Sequence, residues 1–266
     1  MHCLLKPNGA AFESPLNLLI AVKSCARDRE NGSHAAIRRT WACAVGHIPV
    51  RFFTGGEAVL PDEVHVDAPD TYEGLPLKVK EILRWSLANG FDHTLLLDND
   101  TFIILEVLLK CGFEQHDYTG KNAARRKQAP FAHGGWGYFV SRRLAELVVK
   151  AEPTTNAEDR FVGEVAAENK ITLYTPKDFD SMAFHFPPAA YGRRYHPSLQ
   201  WQEMMYRKFC LHQEGVPVLY ENRLPNAKVT AKPNQVLIRM KGSGKPMPVS
   251  EQTARRLLFR GLAERL

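Results

Sequence analysis

The run of residues 91–97 (FDHTLLL), which is followed by the triplet Asp98-Asn99-Asp100, most constrains what this chain can fold into. Its three successive leucines lie between polar turns and predict a buried strand. In an open α/β sheet, ligands bind outside the carboxyl ends of the strands, where this triplet lies. Two carboxylates one residue apart can hold a hard divalent cation, but an Asx-rich turn uses the same residue types. The flanking sequence has to decide between these two interpretations.

Strand patterns alternate with helical patterns through the first part of the chain. Strands are predicted over residues 16–22, as the first and central strand, over 50–53 and over 91–97. Helices are predicted over residues 33–45, over 76–89, after Ser141 and over 158–169. The expected N-caps are Ser33, Ser141 and Asn156, and the expected stops are Gly46 and Gly90. The alternation predicts an α/β fold with crossover connections.

The pattern loosens after about residue 176, where proline-containing loops follow. Residues 228–248 are rich in Lys, Pro and Gly and have no clear period. A terminal helix is predicted over residues 250–266, with its leucines packed on the body and its arginines in solvent. We therefore expect a domain over residues 1–227 and a basic C-terminal extension over residues 228–266.

The charge balance is modestly basic, with 35 Lys and Arg against 29 Asp and Glu, a net charge of +6 and a pI near 9.1. This excess suits anionic nucleotides, DNA or RNA, and it also fits many unrelated proteins. The five cysteines form no Cys-x-x-Cys pair, which argues against a structural zinc site and a disulfide framework. The longest early apolar run is too short to span a bilayer. We expect a soluble protein of a bacterial or viral-host cytoplasm, with a clipped secretory-pathway anchor left open.

Six short segments follow one another in a distinctive order. They are residues 36–41 (AIRRTW), 52–55 (FFTG), 70–78 (DTYEGLPLK), 98–102 (DNDTF), 135–141 (GWGYFVS) and 158–163 (EDRFVG). In this order and spacing they resemble segments of the β-1,3-galactosyltransferase and Fringe-type glycosyltransferases. Two residues depart from that family's pattern: Asn99 replaces the middle acid of the triplet, and Arg160 replaces a valine. Each segment is weak evidence alone, whereas the ordered set is fairly specific.

The resemblance implies a GT-A fold with a mixed, mainly parallel central sheet flanked by helices, followed by a loop-rich C-terminal extension. Its nucleotide-binding half would cover about residues 16–110 and its acceptor half about residues 111–227. The resemblance also implies metal-dependent, inverting transfer of a sugar from a UDP-sugar donor to a hydroxyl acceptor by single displacement. The implied cofactor is Mn²⁺ or Mg²⁺.

For the cation, the resemblance points to Asp100, with Asp98 and Asn99 contacting the donor ribose or supporting the metal ligands. Carboxylate oxygens suit Mg²⁺ or Mn²⁺, and an added imidazole favours Mn²⁺. His185 is the expected imidazole, because the family places a metal-binding histidine beyond its Glu-Asp motif. Flanked by two phenylalanines, it can equally be a core residue. Two other histidines compete for the role, His196 and His212.

For the chemistry, the resemblance points to Asp159, which lies at the family's base position. Inverting transfer needs one base to take the proton of the acceptor hydroxyl. Glu158 is expected to contact the acceptor. The alternative is that both acids stabilise a helix N-terminus after Asn156, and the two roles are compatible because a helix N-terminus is a rigid mount.

For the donor, the resemblance points to Arg38, whose guanidinium can meet uracil or phosphate. Lys78 can reach a donor phosphate, pair with an acid of the triplet, or be a surface lysine. Gly135 and Gly137 would let the backbone approach the sugar closely. Trp136 is expected to stack on the acceptor, or otherwise to lie in the core.

The acceptor is left open by the sequence. A glycan or protein is ranked slightly ahead of a hydroxymethylated base in DNA, for which the basic run Arg125-Arg126-Lys127 is the motivating feature. The alternative function is a non-catalytic sugar-nucleotide or nucleic-acid binding protein on the same fold. Presence of both the triplet and the Glu158-Asp159 pair argues against it. Neither a P-loop, a GxGxxG fingerprint nor a GxSxG elbow occurs.

Overall fold

A six-stranded mixed sheet lies at the centre of the first of two units, Met1–Glu203 and Met204–Leu266. The computed structural model describes residues 17–30, 32–125, 128–177 and 179, and the backbone of four strands at residues 183–185, 235–240, 246–250 and 263–265. Helices alternate with the strands in sequence and pack against the sheet. The predicted α/β class is therefore confirmed.

Strands and helices alternate through the first unit. Its strands are β1 (Leu18–Lys23), β2 (Val50–Thr54), β3 (Glu63–His65), β4 (His93–Asp98), β5 (Thr101–Ile103), β6 (Tyr118–Gly120), β7 (Tyr138–Ser141) and β8 (Ala183–His185). Its helices are α1 (Ala26–Glu30), α2 (Ser33–Arg39), α3 (Leu75–Ala88), α4 (Leu105–Leu108), α5 (Arg142–Lys150) and α6 (Glu158–Glu168). Short 3₁₀ turns cover Trp41–Ala44, Phe113–Gln115 and Gly134–Trp136.

The strand order across the sheet is β3-β2-β1-β4-β7-β6, with β5 and β8 forming a separate two-stranded ladder. Strands β1 to β4 are parallel to one another, whereas β7 is antiparallel to β4 and β6. All six residues of β1 are buried, as expected for a parallel strand covered on both faces. The predicted first, central strand is confirmed. Its register brings Lys23 opposite Asp98 at the carboxyl ends of β1 and β4.

The main apolar core lies between the sheet and helices α3, α5 and α6. Alternate β1 residues Leu19 and Ala21 face this core, while Ile20 and Val22 are buried on the opposite face. The helices contribute Val79, Ile82, Leu83, Leu144, Val148, Phe161 and Val162. Burial of such side chains contributes roughly 1.5–3 kcal/mol each, which fixes the three helices on the sheet.

Three helix predictions agree with the structure. Helix α3 begins with Pro76 in its first turn, and Gly90, just beyond its end, has a left-handed φ of +79°. Ser141 caps α5 by accepting a hydrogen bond from the Leu144 N–H at 3.3 Å. Helix α6 covers nearly all of the predicted residues 158–169.

Two N-cap predictions are wrong. Ser33 is already inside α2, and the N-cap is Gly32 in the left-handed region, with a φ of 89°. The N-cap of α6 is Ala157 rather than Asn156, and no side chain caps that end. In both cases the backbone of the preceding loop decides where the helix begins.

The helix predicted over residues 33–45 is interrupted. Helix α2 ends at Arg39, and Thr40 leaves the helical region with a ψ of −116°. The Thr40 hydroxyl donates to the Ala36 carbonyl at 2.7 Å, a local bond that competes with helix continuation. A 3₁₀ turn, Trp41–Ala44, follows, so Trp41 is still buried although the helix has ended.

The second unit contains three antiparallel strands in the order β10-β9-β11: β9 (Gln235–Met240), β10 (Pro246–Ser250) and β11 (Ala263–Arg265). The helix predicted over residues 250–266 is wrong at both ends, because Ser250 belongs to β10 and residues 263–265 to β11. Both of these strands pair with β9, which overrides the helical preference at the two ends of the segment. Residues 251–262 lie outside the described part, and the expected boundary at residue 227 falls within this unit.

No helix in the described part of the chain combines the length and apolar character that a bilayer crossing needs.

Gly90 and Gly137 share a φ of +79° but have different surroundings. A Cβ at Gly90 would meet nothing within 4 Å, whereas one at Gly137 would lie 2.3 Å from Leu97 Cδ2 and 3.1 Å from Leu96 O. Gly90→Ala should cost about 1–2 kcal/mol for the left-handed backbone, and Gly137→Ala about 1–3 kcal/mol more for overpacking. Urea unfolding of both variants measures the difference. Equal costs would contradict the contact between Gly137 and β4.

Candidate functional site

Two carboxylates and one ammonium group meet at the carboxyl ends of β1 and β4. Lys23 Nζ lies 2.9 Å from Asp98 Oδ1 and also contacts Glu158 Oε1. The side chains of Lys23 and Glu158 are buried, whereas that of Asp98 is 30% exposed. Asp159 follows Glu158 in the first turn of α6. We call Asp98, Glu158 and Asp159 the acidic cluster.

The charges of the acidic cluster and Lys23 depend on one another. Burial lowers the pKa of the Lys23 ammonium, but Asp98 and Glu158 outweigh this effect and raise that pKa above its ordinary value. Burial raises the pKa of the Glu158 carboxyl, and Lys23 opposes this rise. Lys23 is therefore a charged group inside the protein, held by two carboxylates.

Gly134 also contacts the first turn of α6, in addition to the contact that Lys23 makes with Glu158. Its N–H donates to Asp159 Oδ2 at 3.0 Å. A Cβ at position 134 would lie only 2.5 Å from Glu158 Oε1, so any larger residue would displace that carboxylate. Asp159 Oδ1 also accepts from the Arg160 N–H at 2.8 Å. These contacts give Asp159 a defined orientation at a helix N-terminus.

The triplet is oriented by contacts on both sides. Asn99 donates a side-chain hydrogen bond to Asp28 rather than pointing only into solvent. The Thr101 hydroxyl donates to the Gly135 carbonyl at 2.7 Å, which ties the triplet to the glycine-rich turn. Asp100 is half-buried between them. These contacts join segments that are more than thirty residues apart in the chain, as Thr101 and Gly135 are.

The pairing of β5 with β8 brings the backbone of His185 opposite Thr101, one residue beyond Asp100. The side chain of His185 lies outside the described part, as do His196 and His212. Among the side chains that the structure describes, no three of His, Cys, Asp and Glu are grouped as metal ligands. The described side chains alone therefore do not make a cation site.

Lys78 is buried rather than a surface residue. Its Nζ lies 2.5 Å from both Asp70 Oδ1 and the Ser24 carbonyl. The prediction that it pairs with an acid of the triplet is wrong, because the first turn of α3 faces the ends of β1 and β2 instead. Asp70 also accepts from the Gly55 N–H at 2.7 Å. Donor binding by Lys78 stays a prediction, and it would require the lysine to leave Asp70.

Arg38 points towards β3. Its guanidinium donates to Asp62 at 2.8 and 2.7 Å and to Glu63 at 3.1 Å, and it lies 4.7 Å from the centre of the Phe52 ring. Arg38, Phe52 and Asp62 also line a pocket of about 260 Å³. Two strands separate β3 from β4. Contact of Arg38 with a donor stays a prediction, and the structure brings it to this pocket rather than to the acidic cluster.

A chain of buried polar contacts, Ser24–His34–Glu63, joins the end of β1 to β3, and we call it the relay. The Ser24 hydroxyl contacts His34 Nε2, and His34 Nδ1 lies 3.2 Å from Glu63 Oε1. Burial lowers the pKa of His34. Burial alone would raise the pKa of Glu63, but the Val59 N–H together with Arg29, His34 and Arg38 lowers it to about 2. Ser24 follows Lys23, so the relay begins beside the acidic cluster.

The glycine-rich turn carries the remaining predicted residues. His133 caps it by accepting from the Gly135 N–H at 3.2 Å. Gly137 has a positive φ and packs on Leu97, which explains this glycine without a ligand. Trp136 is half-buried rather than in the core, and Lys121 Nζ lies 3.7 Å from the centre of its ring. Sugar contacts by Gly135 and Gly137 and acceptor stacking by Trp136 stay predictions.

Sequence reasoning missed three residues. Lys23 and Gly134 were not singled out, and Tyr72 was placed in a motif without a role. Tyr72 is 66% exposed. Partial burial raises the pKa of its phenol, and the carboxylates of the acidic cluster raise it further. A lysine ending an otherwise apolar strand was the available signal for Lys23.

Comparison with models of protein families and with curated proteins finds no match for this chain.

Glu63 should make the free energy of unfolding depend on pH in the acid range. Its pKa falls from an ordinary 4.5 to about 2, so its carboxylate contributes roughly 3 kcal/mol above pH 5, most of which is lost as the pH falls towards 2. Glu63→Gln should therefore flatten the loss of unfolding free energy over this range, measured in urea. Glu168→Gln, at an exposed position ending α6, should keep the wild-type slope. An unchanged slope for Glu63→Gln would contradict the relay.

Proposed function

We propose that this protein is a glycosyltransferase that moves a sugar from a UDP-sugar to a hydroxyl acceptor with inversion. The observation that carries the proposal is that Lys23 joins Asp98, from the triplet, to Glu158, the residue before Asp159. These acids are about sixty residues apart in sequence, and the family resemblance requires them at one site. The mixed sheet, with β7 antiparallel beside the parallel strands, is compatible with a GT-A fold.

Asp159 has the features that a general base needs. It lies at a helix N-terminus and is oriented by the Gly134 N–H. In the proposed step, the acceptor oxygen bonds to the anomeric carbon while Asp159 takes the hydroxyl proton. The bond from that carbon to the diphosphate oxygen breaks, and the nucleotide leaves with the electron pair. A positioned base of this kind contributes about 10²–10⁴-fold to the rate.

Glu158 suits a different role from the expected one. Its carboxylate is buried against Gly134 and in contact with Lys23, so it supports Asp159 more directly than it can meet an acceptor. For acceptor contact, the structure favours the half-buried Trp136 and the exposed Tyr72, because aromatic rings offer flat apolar faces to a sugar.

The divalent cation stays a prediction. Asp98 Oδ1 already pairs with Lys23, and the described side chains do not complete a ligand set, so we derive no step through a metal ion. Asp100 and His185 are the residues to test, because the β5–β8 pairing brings the backbone of His185 opposite Thr101, the residue after Asp100.

A glycan or protein remains the preferred acceptor class. Arg125 is exposed, which fits a solvated charge as well as a DNA phosphate contact. Arg126 and Lys127 lie outside the described residues. A non-catalytic sugar-nucleotide or nucleic-acid binding protein on the same fold is the alternative, and turnover assays separate it from an enzyme.

Asp159→Asn should abolish transfer but preserve UDP binding, because the amide keeps the shape of the carboxylate but cannot take a proton. The assay is UDP release from a panel of UDP-sugars with oligosaccharide, peptide and hydroxymethylated-DNA acceptors. We expect a loss of at least about 10²-fold. Asp92→Asn, just before the opposite end of β4, is the matched control and should retain activity. Activity that survives Asp159→Asn would refute the base assignment.

Asp100→Ala should weaken UDP binding at least tenfold in Mn²⁺, by isothermal titration calorimetry, if this carboxylate holds the predicted cation. The same variant should bind UDP like the wild type when EDTA replaces the cation. Equal affinity of variant and wild type in Mn²⁺ would remove the metal role of Asp100.

A further inference from the structure

We propose that Lys23 is a positioning residue: its ammonium joins Asp98, at the end of β4, to Glu158, in the first turn of α6, and thereby fixes the place of Asp159. This inference rests on the proposed function for the role of Asp159 as a base. The contacts themselves do not depend on the reaction.

The first support is the environment of the ammonium group. Lys23 is 3% exposed and ends a strand whose other residues are all apolar. A buried charge is costly unless it is paired. Two carboxylates share it, and one of them, that of Glu158, is also buried. Without Lys23, these two acids would face each other without a counter-charge, and the start of α6 would move away from β4.

The second support is the aromatic ring that lies beside the Lys23 ammonium. Lys23 Nζ lies 5.6 Å from the centre of the Tyr138 ring. The Tyr138 hydroxyl is buried and has no hydrogen-bond partner among the described residues. Among the described residues, the hydrogen-bond partners of the Lys23 ammonium are Asp98 and Glu158, and these two acids set its position.

The third support is the path from Glu158 to Asp159. The two residues are consecutive, and both touch Gly134: Glu158 through the packing that excludes a Cβ, and Asp159 through the 3.0 Å hydrogen bond. Lys23 holds Glu158 on one side and the Gly134 backbone holds it on the other. A change in the position of Glu158 therefore has to alter the hydrogen bond that orients Asp159.

The test compares Lys23→Met with Lys80→Met. Lys80 is also buried as a residue, lies on α3, and pairs with Glu152 at 3.2 Å, away from the acidic cluster. With a UDP-sugar donor and well below each unfolding temperature, Lys23→Met should lower kcat at least about 10²-fold with little change in donor KM. Lys80→Met should keep kcat within about twofold. Lys23→Arg, which retains the charge, should recover part of the loss.

A second readout does not depend on activity. Amide hydrogen exchange of the Gly134 N–H should speed up at least about tenfold in Lys23→Met and stay at the wild-type rate in Lys80→Met. Should Lys23→Met not fold, Glu158→Gln is expected to give the same faster exchange at Gly134. Unchanged exchange at Gly134 in the Lys23 and Glu158 variants would overturn the proposal.

The two hypotheses can fail separately. If the wild-type protein transfers no sugar from any donor but Gly134 exchange responds to Lys23 as expected, the positioning role stands and the proposed function fails. If transfer occurs and Lys23→Met loses no more kcat than Lys80→Met, the positioning role fails while the proposed function stands.

Discussion

The buried ion pairs between Lys23 and the carboxylates of Asp98 and Glu158 are the interaction on which the candidate site depends. The sheet alone would leave β4 and the start of α6 as neighbours without a defined spacing, because apolar packing is not directional. A charged group inside the protein is different, since it is stable only with partners at hydrogen-bonding distance. Lys23 therefore sets a defined distance between β4 and the start of α6, and this distance determines the position of Asp159.

Other polar contacts near the carboxyl ends of β1 and β2 also hold neighbouring elements in place. Asp70 receives hydrogen bonds from Lys78 and the Gly55 N–H, which fixes α3 to the ends of the first two strands. The relay from Ser24 through His34 to Glu63 extends this support to β3. Buried polar networks are stable only when their members are paired, so they specify one arrangement. These contacts together favour one arrangement of the segments that follow β1 and β2.

Much of the first unit follows from local pattern. β1 and α3 were predicted within one or two residues, because a continuous apolar run and a helical period with a glycine stop are strong signals. Two helix predictions failed for different reasons. At the end of α2, a local hydrogen bond from the Thr40 hydroxyl to the Ala36 carbonyl competes with the helix, whereas near the C-terminus β9 pairs with residues predicted as a helix. The sequence left several roles open for Lys78, and the packing of α3 decided that its partner is Asp70.

The sequence by itself determined the α/β class and the central strand, because periodicity acts over short distances, and the resemblance to glycosyltransferase segments marked Asp98 and Asp159 as candidate site residues. Only the tertiary structure decided which groups meet. It brought Lys23 between two acids and turned Arg38 towards β3, since strand order and register, which no local pattern contains, set those distances. A lysine at a strand end is usually solvated, and only the packing of α6 and β7 around it makes Lys23 a buried charge.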